Sequence, residues 1–127
     1  MNLNLKLISV SILSLAFSGN LRAAEPLSAD AIKSLLNNNT IHCKNLQKNH
    51  ASRVYFRDDG TATRLNPEGK TIPGNWRVTD TGLHCVDWGE EERCLPVIEL
   101  GNGSYQKIEN DKPRAEFTVI EGNPDSL

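Results

Sequence analysis

The chain has 127 residues, with 14 Lys or Arg residues, 16 Asp or Glu residues and a formal net charge of -2 at pH 7. This length suits a single domain. The slightly acidic balance argues against nucleic acid and anionic membrane surfaces as partners, because binding to either depends on basic patches that displace counterions.

The first 24 residues have the pattern of a secretory signal peptide. Lys6 supplies positive charge before an apolar run over 7–17, and Leu21-Arg22-Ala23-Ala24 offers small residues for cleavage. The run is shorter than a membrane-spanning helix needs, and no cysteine near the cleavage region predicts a lipid anchor. We therefore expect residues 25–127 to form one periplasmic or secreted β-rich domain without a membrane anchor after cleavage.

Residues 28–37 predict a short amphipathic helix. Ser28 is a suitable N-cap, and Leu27 and Ile32 then occupy the two positions of a hydrophobic staple. Apolar residues recur at helical spacing until Asn37-Asn38-Asn39 ends the pattern. We expect this helix to cover one end of a sheet.

From about residue 40 to residue 120 the pattern is typical of an antiparallel meander, because apolar residues alternate and turn signals recur. The turn signals are Asp59-Gly60, Asn66-Pro67-Glu68-Gly69, Asp80-Thr81-Gly82, Gly89-Glu90 and Asn102-Gly103. The fold class is therefore mostly β, with about seven strands curled into a small barrel or half-barrel. A loose tail is expected over 121–127.

Pairing the strands across these turns gathers most apolar residues on one face of the sheet. This predicted inner face contains Val54, Phe56, Thr61, Thr63, Leu65, Ile72, Gly74, Trp76, Val78, His84, Val86, Trp88, Leu95, Val97, Ile108, Phe117 and Val119. Within it, Trp76, His84 and Trp88 form a candidate pocket for a small apolar ligand.

The three cysteines have different predicted roles. A two-residue turn at Gly89-Glu90 sets Cys85 directly opposite Cys94, where a disulfide can form in an oxidising compartment. A redox-active pair and a metal site are the alternatives. Cys43 is left over and is either a buried thiol, the link in a disulfide-joined dimer, or a metal ligand.

Two His-Cys dipeptides, His42-Cys43 and His84-Cys85, raise the question of a metal site. Imidazole and thiolate suit copper or zinc. Adjacent residues on a strand point to opposite faces, so neither dipeptide chelates a metal without a local bend. Apart from metal or haem handling through His84, His42 or Cys43, no cofactor is expected.

The outer face is predicted to carry a basic cluster: Arg53, Tyr55, Arg57, Arg64 and Arg77. Arg64 is expected opposite Tyr55, in a cation–π contact. The cluster is either a solvated sheet face or a docking surface for an envelope protein, since guanidinium groups on a stiff sheet recognise carboxylates.

Four segments, in this order, resemble short exported bacterial proteins grouped as a domain of unknown function: NNNTIHCKNL, VYFRDDGTATR, GNWRVTDTGLHCVDWGEEERCLPV and GNGSYQKI. The shared features are an early N-T, an aromatic-x-x-D-G-T hairpin, a G-x-W strand, two cysteines around an acidic turn and a G-x-x-Y segment. The resemblance covers about residues 37–108. It implies a periplasmic β-domain with Cys85 paired to Cys94, and it implies no activity.

No catalytic residues are predicted, because the chain contains no G-x-S-x-G, H-E-x-x-H or P-loop sequence. We therefore expect an exported binding or accessory domain that acts without catalysis. Its partner is expected to be an envelope protein or a small apolar ligand. The alternative function is the periplasmic handling of a metal or haem.

Overall fold

The computed structural model describes residues 24–127, which form one α-helix and a closed antiparallel β-barrel. Helix α1 spans Ala29–Leu36. The strands are β1 (Asn39–Asn45), β2 (His50–Phe56), β3 (Thr61–Leu65), β4 (Thr71–Val78), β5 (Leu83–Asp87), β6 (Arg93–Gly101), β7 (Ser104–Glu109) and β8 (Lys112–Glu121). The predicted signal peptide falls almost entirely outside the described residues.

Each strand pairs with the next one along the chain, and β8 returns to pair with β1. The prediction of a mostly β, antiparallel fold with one short helix is confirmed, and the sheet is a complete barrel of eight strands. Closure leaves no strand edge exposed for pairing with another chain. No helix within residues 24–127 combines the length and the hydropathy that crossing a bilayer requires.

Helix α1 closes one end of the barrel. The side-chain oxygen of Ser28 accepts a hydrogen bond from the Ala31 amide at 3.1 Å, as expected of an N-cap. Ile32 and Leu36 are fully buried and belong to the same apolar core as Phe56. The apolar stripe of the helix therefore packs into the barrel and fills this end with side chains.

Three hairpins share one kind of turn, over residues 57–60, 66–69 and 79–82. In each, the fourth residue is a glycine with positive φ whose amide donates to the carbonyl of the first residue, at 3.0 to 3.1 Å. This is a type I turn followed by a left-handed glycine, which adds one residue to the connection and moves the strand register by one relative to a two-residue turn.

The predicted register of the first hairpin is wrong for this reason. The structure pairs Phe56 with Ala62 and Val54 with Arg64, so Ala62 and Arg64 face the barrel interior. The β3 residues that were predicted on the inner face lie on the outer face: Thr61, Thr63 and Leu65.

The second hairpin contains the same one-residue shift, and the two shifts cancel. Arg64 pairs with Ile72, which returns β4 to the predicted register. Val78 then stands opposite His84, as predicted. The two offsets together misplace only β3, the strand between the two hairpins.

Strand β7 also departs from the prediction. The pairing of β6 with β7 changes register between Glu99 and Gly101, and Val97 pairs with Lys107. Lys107 therefore occupies the inner position that was predicted for Ile108. Phe117 is buried in the core as expected.

The predicted disulfide is confirmed. Cys85 on β5 stands opposite Cys94 on β6, and the two sulfur atoms are bonded at 2.04 Å. The bridge links residues nine apart in sequence. It ties two strands that are already hydrogen-bonded neighbours and therefore fixes the register of this hairpin.

Replacing both bridged cysteines, Cys85→Ser with Cys94→Ser, should lower the free energy of unfolding by about 2 to 3 kcal/mol, because the unfolded chain regains the entropy of a short closed loop. Urea denaturation measures this loss. Reduction of the unaltered protein should reproduce it, and a Cys43→Ser variant should respond to reduction in the same way. An unchanged urea midpoint in the double variant would refute the stabilising role.

Candidate functional site

The barrel encloses a cavity of about 650 Å³, which we call the lumen. Asn45, Lys48 and His50 line it around the β1–β2 turn, at the end of β1 that lies away from α1. An eight-stranded barrel is just wide enough to be filled by side chains or to hold one small ligand. Here the core fills the end next to α1, and the lumen opens at the other end.

The floor of the lumen is an aromatic cluster. The ring centroid of Phe56 lies 5.1 Å from that of Trp76 and 5.3 Å from that of His84, both in edge-to-face geometry. Trp76 is held by a 2.7 Å hydrogen bond from its indole nitrogen to the Arg57 carbonyl. The structure therefore brings together two members of the predicted pocket, with His84 lining the lumen and Trp76 supporting it from behind.

His84 is 1% exposed, and neither of its ring nitrogens has a hydrogen-bond partner among the described residues. Burial holds its pKa well below the ordinary value, and the positive charge of Lys107 acts in the same direction. His84 is therefore neutral at physiological pH. Buried polar atoms without a partner are rare in folded proteins, and these two lie beside a cavity.

The third member of the predicted pocket, Trp88, forms part of the lumen wall together with Arg64. The Arg64 guanidinium lies 4.9 Å from the centroid of the Trp88 ring, in a cation–π contact. The Trp88 ring fits here only because residue 74 is a glycine, since a Cβ at this position would lie 2.4 Å from Trp88 Cε3. Gly74, the glycine of the G-x-W sequence, therefore makes room for Trp88, on which Arg64 stacks.

Two further polar groups, Cys43 on β1 and Lys107 on β7, line the lumen. The barrel wall encloses Lys107, but part of its surface stays accessible from the lumen. Burial lowers the pKa of Lys107 and raises the pKa of the free Cys43 thiol. The thiol is therefore protonated at neutral pH, and it supplies no negative charge to Lys107.

At the mouth of the lumen, two cationic side chains are paired within the chain. Arg93 and Arg114 both bind Glu109, at 2.8 and 2.6 Å. Glu90 and Glu91 lie at the exposed β5–β6 turn beside them. Deeper in the lumen the cations are not paired, since no ion pair within residues 24–127 involves Arg64 or Lys107.

The predicted outer arginine cluster is largely engaged within the chain. Arg53 pairs with Asp125 at 2.6 Å, and Arg77 pairs with Glu92 at 2.7 Å. Arg57 donates to the main-chain oxygen of Leu127 at 2.6 Å. These guanidinium groups already have acceptors.

The expected contact between Arg64 and Tyr55 is wrong, because the register shift sends Arg64 into the lumen. Arg57 takes its place, 5.2 Å from the centroid of the Tyr55 ring.

The tail after β8 is also less loose than expected. Both backbone polar groups of Gly122 are hydrogen-bonded, since its amide donates to the Asn39 side chain and its carbonyl accepts from the Thr40 hydroxyl.

The residues predicted as metal ligands do not converge. His42 is exposed on the outer surface, whereas Cys43 and His84 line the lumen. Within the part of the chain that the structure describes, three candidate ligand atoms come within 4.8 Å of one another in a single group, Cys85, Glu92 and Cys94. Two of these residues form the disulfide and offer no thiolate.

Sequence reasoning missed the two lumen cations. Arg64 could have been found by treating Arg57-Asp58-Asp59-Gly60 as a type I turn with a left-handed glycine. The inward position of Lys107 results from a strand irregularity near Leu100, for which the sequence carries no clear signal.

In comparisons with known proteins, no family model matches the chain, and no curated protein matches it. The resemblance to exported proteins of a domain of unknown function therefore stays a prediction.

The buried His84 should make stability depend on pH. Because folding lowers its pKa, only the unfolded chain takes up a proton near the ordinary value of 6.5. The free energy of unfolding is therefore highest above about pH 6.5. At lower pH it decreases, by at most about 1.4 kcal/mol per pH unit. Urea denaturation from about pH 5 to pH 7 should show this slope.

His84→Phe should abolish that slope while keeping an aromatic ring in the floor. His42→Gln, a change at an exposed histidine, is the matched control and should retain the slope. The same pH dependence in His84→Phe and in the unaltered protein would assign the effect to another group.

Gly74→Ala should destabilise the barrel by about 1 to 3 kcal/mol, because the new methyl group overlaps the Trp88 ring. Asn75→Ala, at the exposed neighbouring position on β4, is the control and should change stability much less. Adding Trp88→Leu to Gly74→Ala should cost less than the two single changes summed, as measured by urea denaturation. Strict additivity would mean that the ring and the methyl group do not collide.

Proposed function

We propose that this protein is an exported, non-catalytic binding module that holds one small molecule in the lumen of its barrel. The observation that carries the proposal is the enclosed cavity of about 650 Å³, open at one end. Small-molecule sites are concave, mostly preformed and about 300 to 1,000 Å³ in volume. The lumen has the size and the shape of such a site.

The chemistry of the lining supports the same proposal. Binding pockets combine apolar walls with a few polar groups that fix the orientation of the ligand. The apolar part here consists of Ile41, Val54, Phe56, Val86, Trp88 and Leu95. Arg64, His84 and Lys107 supply polar groups on different strands, and these groups face one common space.

The rigidity of the walls favours binding as well. A closed ladder of strands and a disulfide between β5 and β6 hold the lining side chains in place before a ligand arrives. Preorganisation of this kind lowers the entropy cost of binding. Export is supported by the predicted signal peptide and by the disulfide, a bond typical of oxidising compartments.

The two other sequence-based functions have less support. The outer arginines already bind acceptors within the chain, so docking of an acidic envelope protein there would have to displace them. Metal or haem handling is disfavoured because Lys107 places positive charge near Cys43 and His84.

A neutral apolar dye tests the proposal. N-phenyl-1-naphthylamine should bind with one-to-one stoichiometry and gain fluorescence, and it should quench Trp88. Ser52→Phe fills the lumen from β2 and should abolish binding. Thr118→Phe adds the same ring at an exposed position of β8 and should leave binding intact.

The proposal fails if neither this dye nor its sulfonated analogue binds, or if both bind equally well to the Ser52→Phe variant. Thermal unfolding of the two phenylalanine variants should confirm that each is folded. Binding that Thr118→Phe removes and Ser52→Phe preserves would move the site to the outer surface.

A further inference from the structure

We propose that the lumen selects a small organic anion, a carboxylate or sulfonate with an apolar body, whose acidic group is recognised by Arg64 and Lys107. This inference rests on the proposed binding function and names the chemical class of the ligand. The pairing of cationic side chains differs between the mouth of the lumen and its interior.

At the mouth, Arg93 and Arg114 both pair with Glu109, and the carboxylates of Glu90 and Glu91 lie nearby in the lining. In the interior, Arg64 and Lys107 both line the lumen, and no carboxylate within residues 24–127 forms an ion pair with either. Shielding a cation from water without an anionic partner costs stability. Such groups in a cleft are characteristic of functional sites.

The Cys43 thiol is an acidic group that lies near both cations. It approaches Lys107 and Arg64 closely enough to feel the charge of each. Its environment nevertheless favours the neutral thiol, because the loss of hydration outweighs the attraction of the two cations. Within residues 24–127, therefore, no anionic side chain pairs with Arg64 or Lys107, and a bound anion would supply the missing charge.

Arg64 is prepared for this task by its contacts. Its guanidinium group lies against the Trp88 ring, and its Nε is buried without a hydrogen-bond partner among the described residues. Stacking restricts the long side chain while leaving donors at the edge of the guanidinium plane. A carboxylate or sulfonate can accept two parallel hydrogen bonds from such a group.

The remainder of the lumen indicates the body of the ligand. Trp88 offers an aromatic surface next to Arg64, and the floor offers Phe56, Ile41 and Leu95. A ligand with an acidic group and a flat apolar body would bury its body against these side chains. His84, neutral and unpartnered in the floor, adds one position for a polar atom of the ligand.

Two dyes with the same aromatic skeleton test the inference by titration. The probe 8-anilino-1-naphthalenesulfonate carries a sulfonate, and N-phenyl-1-naphthylamine lacks it. The anionic dye should bind at least about tenfold more tightly, since hydrogen bonds to charged groups are stronger than those between neutral groups. Ser52→Phe should abolish binding of the anionic dye, because both dyes are expected in the lumen.

Lys107→Met and Arg64→Gln should each weaken the anionic dye by about ten- to a hundredfold and should affect the neutral dye by a clearly smaller factor. The matched controls on the outer surface are Lys112→Met and Arg53→Gln, which should leave both affinities unchanged. Thermal unfolding separates binding from folding. Lys107→Met removes a shielded charge without a partner, so its melting temperature should not fall below that of the unaltered protein.

Equal affinity for the two dyes, or anionic binding that survives both Lys107→Met and Arg64→Gln, would overturn the inference while leaving a neutral-ligand lumen in place. Anionic binding that survives Ser52→Phe would put the dye outside the lumen and overturn it too. Failure of both dyes to bind the unaltered protein would remove the proposed function and the inference together.

Discussion

Pairing of β1 with β8 is the interaction on which the rest of this structure depends. It turns a meander of hairpins into a closed wall, and closure brings side chains from every strand around one axis. Cys43 on β1, Arg64 on β3 and Lys107 on β7 are far apart in sequence and share one cavity only because the sheet meets itself. The lumen and its charge are consequences of this seam.

The two ends of the barrel differ in the side chains that occupy them. At the α1 end, Ile32 and Leu36 fill the space between the strands and form a dry core with Phe56. At the open end, Arg93 and Arg114 on the strands pair with Glu109. Between them lies a zone where aromatic side chains meet Arg64 and Lys107, with which no carboxylate of residues 24–127 forms an ion pair. The first zone supplies much of the buried apolar core, and the zone between the two ends is where we propose that a ligand binds.

Much of the architecture could be predicted from local signals. The Ser28 cap, the alternation of apolar residues and the Cys85–Cys94 register all follow from the chemistry of short segments. The polar lining could not be predicted in the same way, because one extra residue in a turn reverses the face of a strand. Arg64 was therefore expected outside, although Asp59-Gly60 was correctly identified as a turn. The register change near Leu100, which directs Lys107 inward, has no clear signal in the sequence.

The seam between β1 and β8 also governs how the chain reaches its final form. Thr40 bonds to Gly122 across it, a contact between residues 82 positions apart. Contacts of such long range form late, because most of the chain must be arranged before the loop between them can close. Until that step every partly formed sheet has two unpaired edges, which are open to other chains. The lifetime of the unclosed sheet, more than the stability of the closed barrel, therefore sets the risk of aggregation during folding.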